Sequence, residues 1–202
     1  MSKKTVFYIV FFTVLVLGFY AALSSSIPGF GKKRFPPITK VEPFAFTNQD
    51  GQTVTNENIK GKVAVVNFFF TTCTSVCPRM NNNLKNVYET LQNTPGVVFL
   101  SFTSDPARDS AARLKHYADS MGVNTAKWIF LTGRKDSLYN AARYSFKVDD
   151  PDNFAANEGV DFLHTQFVAL VNKKGEVVKI YDGIKPSELH GLPADVKNLL
   201  NE

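Results

Sequence analysis

Residues 63–78 read VAVVNFFFTTCTSVCP, and this stretch decides the fold expected for the chain. Residues 63–70 form a nearly unbroken apolar run, which is typical of a central strand covered on both faces. The two cysteines of the chain, Cys73 and Cys77, follow directly. The proline after them suits the first turn of a helix, which the apolar spacing predicts over 75–91. Both sulfurs would then lie at the helix N-terminus, four residues apart on one face.

The segments around this stretch alternate between strand and helix patterns. Strands are predicted at 41–46, 63–70, 97–102, 128–131, 166–171 and 177–181, and helices at 75–91, 111–121, 135–144 and 186–200. Residues 148–160 are polar and acidic and are predicted to form an excursion loop. The order indicates an α/β sandwich with a central mixed sheet and parallel central strands. Two cysteines beyond the first central strand favour a thioredoxin-like layout, with the site at the carboxyl ends of the strands.

The N-terminal region is apolar, since residues 5–23 contain no charged side chain. As a helix, they would rise about 1.5 Å per residue and nearly match a hydrocarbon core of ~30 Å. We therefore predict a transmembrane anchor at 5–23, preceded by residues 1–4, and keep a cleaved signal peptide as the alternative. Residues 24–40 are rich in Ser, Gly, Pro and Lys and are expected to be a linker, and 41–202 to form the folded domain.

The net charge of +5 comes from the residues beside the apolar run. Residues 1–34 hold five basic side chains and no acidic one, whereas 35–202 hold 18 of each sign. The folded domain is therefore neutral overall, and we expect no nucleic-acid-binding face. The basic residues on the two flanks of the apolar run nearly balance, so charge alone does not decide its orientation.

The chemistry of Cys73 and Cys77 allows several kinds of site. A helix N-terminus lowers the pKa of a thiol, and thiolates are soft ligands that suit Cu(I). A structural disulfide would close a very small loop and stabilise the fold little. The pair is also two ligands short of a closed zinc site. A redox-active dithiol and a soft-metal site both remain open.

His164 is the next candidate, because it lies just before a predicted strand. Together with two thiolates it would form an S₂N ligand set that suits copper in either oxidation state. From the residues alone, a hydrogen-bonded histidine at a strand end is the favoured interpretation. We expect the other two histidines to be surface residues and the two methionines of the folded domain to pack in helices; these are His116, His190, Met80 and Met121.

The segment SDPARD at 104–109 follows the second predicted central strand. Asp105, Arg108 and Asp109 are expected to form a helix N-cap with an internal ion pair. Because the segment should border the same end of the sheet as the cysteines, it is also a candidate for the rim of a pocket.

Four segments in a fixed order resemble the Sco/SenC family of copper chaperones for cytochrome c oxidase. They are FTTCTSVCP at 70–78, SFTSDPARD at 101–109, WIFLTG at 128–133, and His164-Thr165 before NKKG at 172–175. The resemblance covers roughly residues 41–200. It implies a thioredoxin-like fold and a copper site, for Cu(I) or Cu(II), formed by Cys73, Cys77 and His164.

The resemblance also implies a location and partners. The N-terminus, residues 1–4, would be cytoplasmic, the anchor would lie in the inner membrane, and the domain would face the periplasm or an equivalent compartment. The implied partners are subunit II of cytochrome c oxidase, whose binuclear copper site would be matured, and an upstream copper donor or thiol reductant. The chain departs from many members in lacking an acidic residue at 74–76 and in having Leu163, not Asp, before the histidine.

Two other functions use the same cysteines. In a thiol–disulfide oxidoreductase, Cys73 and Cys77 would be the redox-active pair and would reduce the cysteines of oxidase subunit II. Such enzymes usually have two residues between the cysteines and a proline before the hairpin strand, whereas this chain has three residues and no proline at 159–169. A peroxiredoxin-like peroxidase, which needs one reactive cysteine and no metal, ranks last.

Overall fold

The computed structural model describes residues 1–26, 35–149 and 163–202, and the chain divides into the units Met1–Arg34 and Phe35–Glu202. In the first unit, helix α1 spans Lys3–Ser26 and has a mean hydropathy of 2.4 over its most apolar window. It is long and apolar enough to cross a membrane. Residues 27–34 of the predicted linker at 24–40 and residues 150–160 of the predicted acidic loop at 148–160 lie outside the described residues.

The second unit alternates strands and helices. Its strands are β1 Thr39–Lys40, β2 Ala45–Asn48, β3 Thr53–Thr55, β4 Val63–Phe69, β5 Val97–Thr103, β6 Trp128–Thr132, β7 Phe167–Val171 and β8 Glu176–Asp182. Its helices are α2 Asn56–Ile59, α3 Val76–Leu91, α4 Ala111–Met121, α5 Lys135–Asn140, α6 Pro186–Leu189 and α7 Leu192–Leu200.

These strands form one mixed sheet with the order β1-β8-β7-β4-β5-β6-β2-β3. The central strands β4, β5 and β6 are parallel, and β7, β8 and β2 pair antiparallel to their neighbours. All seven residues of β4 are buried, as its continuous apolar run predicts. The predicted α/β sandwich with a mixed central sheet is confirmed.

Two hydrophobic clusters cover the two faces of the sheet, because successive strand residues point to opposite faces. One cluster lies under α3, α4 and α7 and includes Val65, Phe69, Leu84, Leu114 and Leu199, together with both cysteines. The other lies under α5 and includes Val66, Phe68, Leu100, Leu138 and Phe146. Each fully buried Leu or Phe stabilises the fold by roughly 1.5–3 kcal/mol, so these layers hold the ends of β4 and β5 in place.

The N-terminal part of the sheet differs from the prediction. The strand predicted at 41–46 is wrong: the chain forms β1 before it and β2 near its end. Pro43 interrupts the segment, since a proline cannot donate a ladder hydrogen bond. Residues 48–51 form a turn, in which the Gly51 N–H donates to the Asn48 carbonyl at 3.0 Å. A φ of 78° at Gly51 explains the glycine there.

Two predicted helices are interrupted. The helix predicted at 135–144 is α-helical only to Asn140 and continues as a π-helix over Ala141–Ser145. The Phe146 N–H donates to the Ala141 carbonyl at 2.8 Å, five residues back. The helix predicted at 186–200 is divided into α6 and α7 at His190–Gly191, and a second proline begins α7.

Candidate functional site

The two cysteines meet at the start of α3, but not as residues of one helix. Helix α3 begins at Val76, so Cys77 lies in its first turn and Cys73 lies before it, in the cysteine loop of residues 70–75. The expectation that both lie on one helix face is therefore wrong. Instead, the loop turns back so that the Cys77 N–H donates to the Cys73 sulfur at 3.4 Å. Both are free thiols, and both are buried.

The environments of the two thiols differ. Burial alone would raise the pKa of Cys73, but hydrogen bonds from the Cys77 thiol, from the N–H groups of Ser75 and Cys77 and from the Ser75 side chain outweigh it. The net pKa of Cys73 lies below its ordinary value. Burial raises the pKa of Cys77 to about 12, and its hydrogen bond to Cys73 adds to this shift. Cys73 is therefore the thiol of the pair that loses its proton more readily.

Asp109 anchors the cysteine loop to the segment after β5. Its side chain is fully buried, and one carboxylate oxygen accepts from the Thr71 N–H at 3.0 Å and from the Thr103 hydroxyl at 2.7 Å. The other oxygen accepts from the Thr71 hydroxyl at 2.5 Å. The Arg113 guanidinium lies 3.6 Å from this carboxylate and donates to the Thr71 hydroxyl oxygen at 2.6 Å. Thr71 is thus held two residues before Cys73.

The predicted N-cap at 104–109 is wrong, because Ser110 caps α4 and accepts a hydrogen bond from the Arg113 N–H at 3.3 Å. The predicted ion pair is confirmed, since Arg108 lies 3.4 Å from Asp105. Sequence reasoning missed the anchoring role of Asp109, because its partners lie on other segments of the chain.

A chain of hydrogen-bonded polar side chains, mostly buried, runs from Trp128 on β6 to Tyr117 on α4. The Trp128 ring N–H donates to the Ser101 hydroxyl at 2.7 Å, which donates to the Asn67 side chain at 2.6 Å. The amide of Asn67 donates to Asn81 at 3.1 Å, and the amide of Asn81 donates to the Tyr117 hydroxyl at 2.7 Å. Sequence reasoning missed these residues, although a polar Asn67 within an apolar strand was a usable signal.

Tyr117 ends this chain close to the thiols. Burial raises its pKa, and negative charge on Cys77, Cys73 and Asp109 raises it further, against a lowering by Asn81. The Tyr117 hydroxyl therefore stays neutral at neutral pH.

His164 reaches the cysteine loop from a distant part of the chain. Its ring meets the Phe70 ring edge to face, with centroids 5.6 Å apart. The Phe70 carbonyl in turn accepts from the Cys73 N–H at 3.2 Å. Within residues 1–26, 35–149 and 163–202, no three His, Cys, Asp or Glu side chains are gathered closely enough to hold a metal ion. The assignment of Cys73, Cys77 and His164 as metal ligands stays a prediction.

The remaining candidates lie as expected for structural or surface residues. His116 and His190 are exposed. Met80 is fully buried, and Met121 packs at the edge of the same cluster.

Comparisons with known proteins agree with this arrangement. The SCO1 protein homolog of Bacillus subtilis is 35% identical over 164 residues, which is 79% of this chain and 82% of that protein. A solved structure of BsSco, described as a member of the Sco family of cytochrome c oxidase assembly proteins with a disulfide switch, superposes with a TM-score of 0.69. It is 32% identical, and the match covers 83% of this chain and 98% of that one.

A structure of Bradyrhizobium japonicum ScoI with copper bound superposes with a TM-score of 0.61 at 26% identity, covering 80% of this chain and all of that one. The thioredoxin-like fold expected for the chain is confirmed by these Sco neighbours. The family model described as SCO1/SenC matches residues 33–200. The chain belongs to the SCO1/SenC family.

Proposed function

We propose that this protein is a membrane-anchored copper metallochaperone that binds copper through Cys73, Cys77 and His164 and assists the assembly of cytochrome c oxidase. The observation that carries the proposal is that contacts connect three distant parts of the chain. The Cys77 N–H in the first turn of α3 donates to the Cys73 sulfur, and the Cys73 N–H donates to the Phe70 carbonyl. The Phe70 ring in turn contacts the His164 ring. Copper-bound structures of relatives support the choice of metal.

The donor set suits copper as cargo. Two thiolates and one imidazole are soft and borderline ligands, which fit Cu(I) and also Cu(II). The pKa of Cys73 is lowered, whereas that of Cys77 is raised to about 12, so Cys77 must lose its proton on binding. Copper uptake is therefore expected to release protons, and binding is expected to tighten as the pH rises.

His164 supplies the third ligand by moving. Its ring is exposed and packs on Phe70, so rotation of the side chain can bring a ring nitrogen towards the sulfurs without rebuilding the core. A ligand that joins and leaves in this way suits a protein that must also release its copper.

Equilibrium copper titration of the full chain in detergent tests this proposal. We expect one copper per chain, loss of tight binding in Cys73→Ser and in Cys77→Ser, and weaker binding in His164→Ala. His116→Ala and His190→Ala are matched controls, since both histidines are exposed and lie outside the cysteine loop. Undiminished binding in His164→Ala would remove the proposed site.

The location and partners extend the proposal. Residues 1–4 would be cytoplasmic, α1 would cross the inner membrane once, and Phe35–Glu202 would face the periplasm or an equivalent compartment. The binuclear copper site of oxidase subunit II would receive the metal, and a separate donor or reductant would supply copper or electrons. Copper transfer from the loaded protein to the isolated copper domain of subunit II tests the first partner.

A second function, thiol–disulfide reduction of subunit II, is favoured by the unequal thiols. The Cys73 thiolate would attack the target disulfide and form a mixed disulfide, releasing one target thiolate. Cys77, once deprotonated, would then attack Cys73, so that the Cys73–Cys77 disulfide forms and the target gains two electrons. Reduction of an oxidised subunit II copper domain by metal-free protein, lost in Cys73→Ser, tests this function.

A further inference from the structure

The hydroxyl of Tyr139 connects the segment before His164 to the end of β5. The Tyr139 hydroxyl donates to the Ser104 carbonyl at 3.0 Å and accepts from the Leu163 N–H at 3.2 Å. Leu163 immediately precedes His164. One buried hydroxyl on α5 therefore bridges two segments that are distant in the sequence.

The Ser104 side of this bridge continues to the cysteine loop. The Ser104 N–H donates to the carbonyl of Phe69, the last residue of β4, at 2.8 Å. Phe70 follows, with its carbonyl bonded to the Cys73 N–H and its ring in contact with His164. The contacts thus form a closed circuit that runs from the cysteine loop through Ser104 and Tyr139 to His164 and back through Phe70.

The backbone on both sides of His164 is fixed, while its ring is exposed. Leu163 is buried in the cluster under α5. The Thr165 hydroxyl donates to the Val148 carbonyl and accepts from the Phe167 N–H at 3.2 Å. Among the described residues, the bond from the Leu163 N–H to Tyr139 links the backbone of this segment towards the cysteine loop, in addition to the contact between the rings of His164 and Phe70.

Tyr139 is itself held in place. Its side chain is buried, and two cations lie over its ring, with Lys135 5.0 Å and Arg143 5.5 Å from the ring centroid. Arg143 is further fixed by an ion pair with Asp149 at 2.8 Å. The Tyr139 ring is therefore held by burial and by cations that do not belong to the segment before His164.

We propose that Tyr139 is a positioning residue whose hydroxyl sets the distance between His164 and the cysteine loop. If His164 binds copper as proposed above, Tyr139 controls the contribution of His164 to copper binding; this consequence rests on the proposed function. The hydroxyl bonds to the backbone of Ser104 and Leu163, and it acts on His164 through the Leu163 backbone.

Tyr139→Phe removes only the hydroxyl and tests the proposal in the metal-free full chain. We expect the Leu163 amide to exchange with solvent about tenfold faster, as the loss of one hydrogen bond implies, and the contact between the rings of Phe70 and His164 to weaken in NMR spectra. Tyr88→Phe is the matched control: Tyr88 is also buried, and its hydroxyl accepts from the Asn124 N–H at 2.9 Å. Tyr88→Phe should lose a similar amount of stability but leave the Leu163 exchange rate and the contact between the rings of Phe70 and His164 unchanged.

A copper titration separates positioning from a general loss of stability. Tyr139→Phe should weaken copper binding about tenfold and shift the copper absorption spectrum towards that of His164→Ala. Because the hydroxyl acts through the histidine, the double variant should bind as His164→Ala alone does. Tyr88→Phe should bind copper as the wild type does.

Three results would overturn the proposal: unchanged Leu163 exchange in Tyr139→Phe, wild-type copper binding in that variant, or an equal loss of affinity in the His164→Ala background. If the wild-type chain takes up no copper, the proposed function fails. The exchange rate and the ring contact in metal-free protein then still decide whether Tyr139 positions His164.

Discussion

Asp109 and Thr71 are joined by two hydrogen bonds, one to the backbone N–H and one to the hydroxyl of the threonine. Thirty-eight residues of sequence separate them. A fully buried carboxylate therefore holds the chain two residues before Cys73, so the position of the thiol depends on a residue outside the cysteine motif.

Replacing Asp109 should loosen this loop and destabilise the fold. Asp109→Ala leaves the donors on Thr71 and Thr103 without their acceptor, and we expect a loss of about 3 kcal/mol in urea unfolding. Cys73 should also become more accessible to alkylation. Asp119→Ala is the control, because the Asp119 side chain is exposed and forms a surface ion pair with Lys115 at 3.2 Å, and it should cost less than about 0.5 kcal/mol. Equal losses in the two variants would contradict the anchoring role.

The two cysteines should differ in reactivity with pH. The pKa of Cys73 is lowered, so its alkylation should rise through a midpoint below that of an ordinary thiol. Cys77 should react slowly throughout, since its pKa is raised to about 12 and the thiol stays protonated. Mass spectrometry of metal-free protein, alkylated briefly at a series of pH values, measures both. Faster labelling of Cys77 would reverse the assignment of the nucleophile.

The buried polar chain should stabilise the strand that leads to the cysteines. Asn67→Val removes the partner of Ser101 and Asn81, and we expect a loss of about 2–3 kcal/mol in unfolding. Trp128, the single tryptophan, donates to Ser101 in the same series of hydrogen bonds, so its fluorescence in the folded state should change when Asn67 is replaced. Asn82→Val, at an exposed position of α3, is the control and should leave both the fluorescence and the stability nearly unchanged.

Helix α1 should retain the protein in membranes. Its 24 residues have the length and hydropathy of a membrane span, so the full chain should resist alkaline carbonate extraction, and a chain beginning at residue 35 should be extracted. N-terminal sequencing of the membrane-bound protein decides between an anchor and a signal peptide. A mature protein that begins after α1 would exclude the anchor.

Sequence patterns predicted β4, β5, α3 and α4 nearly to the residue, because each has a long apolar run or a clear helical period. They failed at 41–46 and 186–200, where a proline or a glycine interrupts a weakly periodic segment. The roles of Asp109 and Tyr139 could not be predicted, because the hydrogen bonds that link Asp109 to Thr71, and Tyr139 to Ser104 and Leu163, join residues that are 24 to 38 positions apart.

The amino-acid sequence alone pointed to the candidate groups for the chemistry: two thiols at a strand-to-helix junction and one histidine before a hairpin strand. Local patterns suffice to find these groups, since residue type and spacing can be read directly from the sequence. Only the tertiary structure decided that Cys73 lies outside α3, that Asp109 holds its loop and that the His164 ring packs on Phe70. Those relationships arise because the parallel strands align their carboxyl ends and so bring distant segments together. A local sequence pattern does not encode contacts between distant segments.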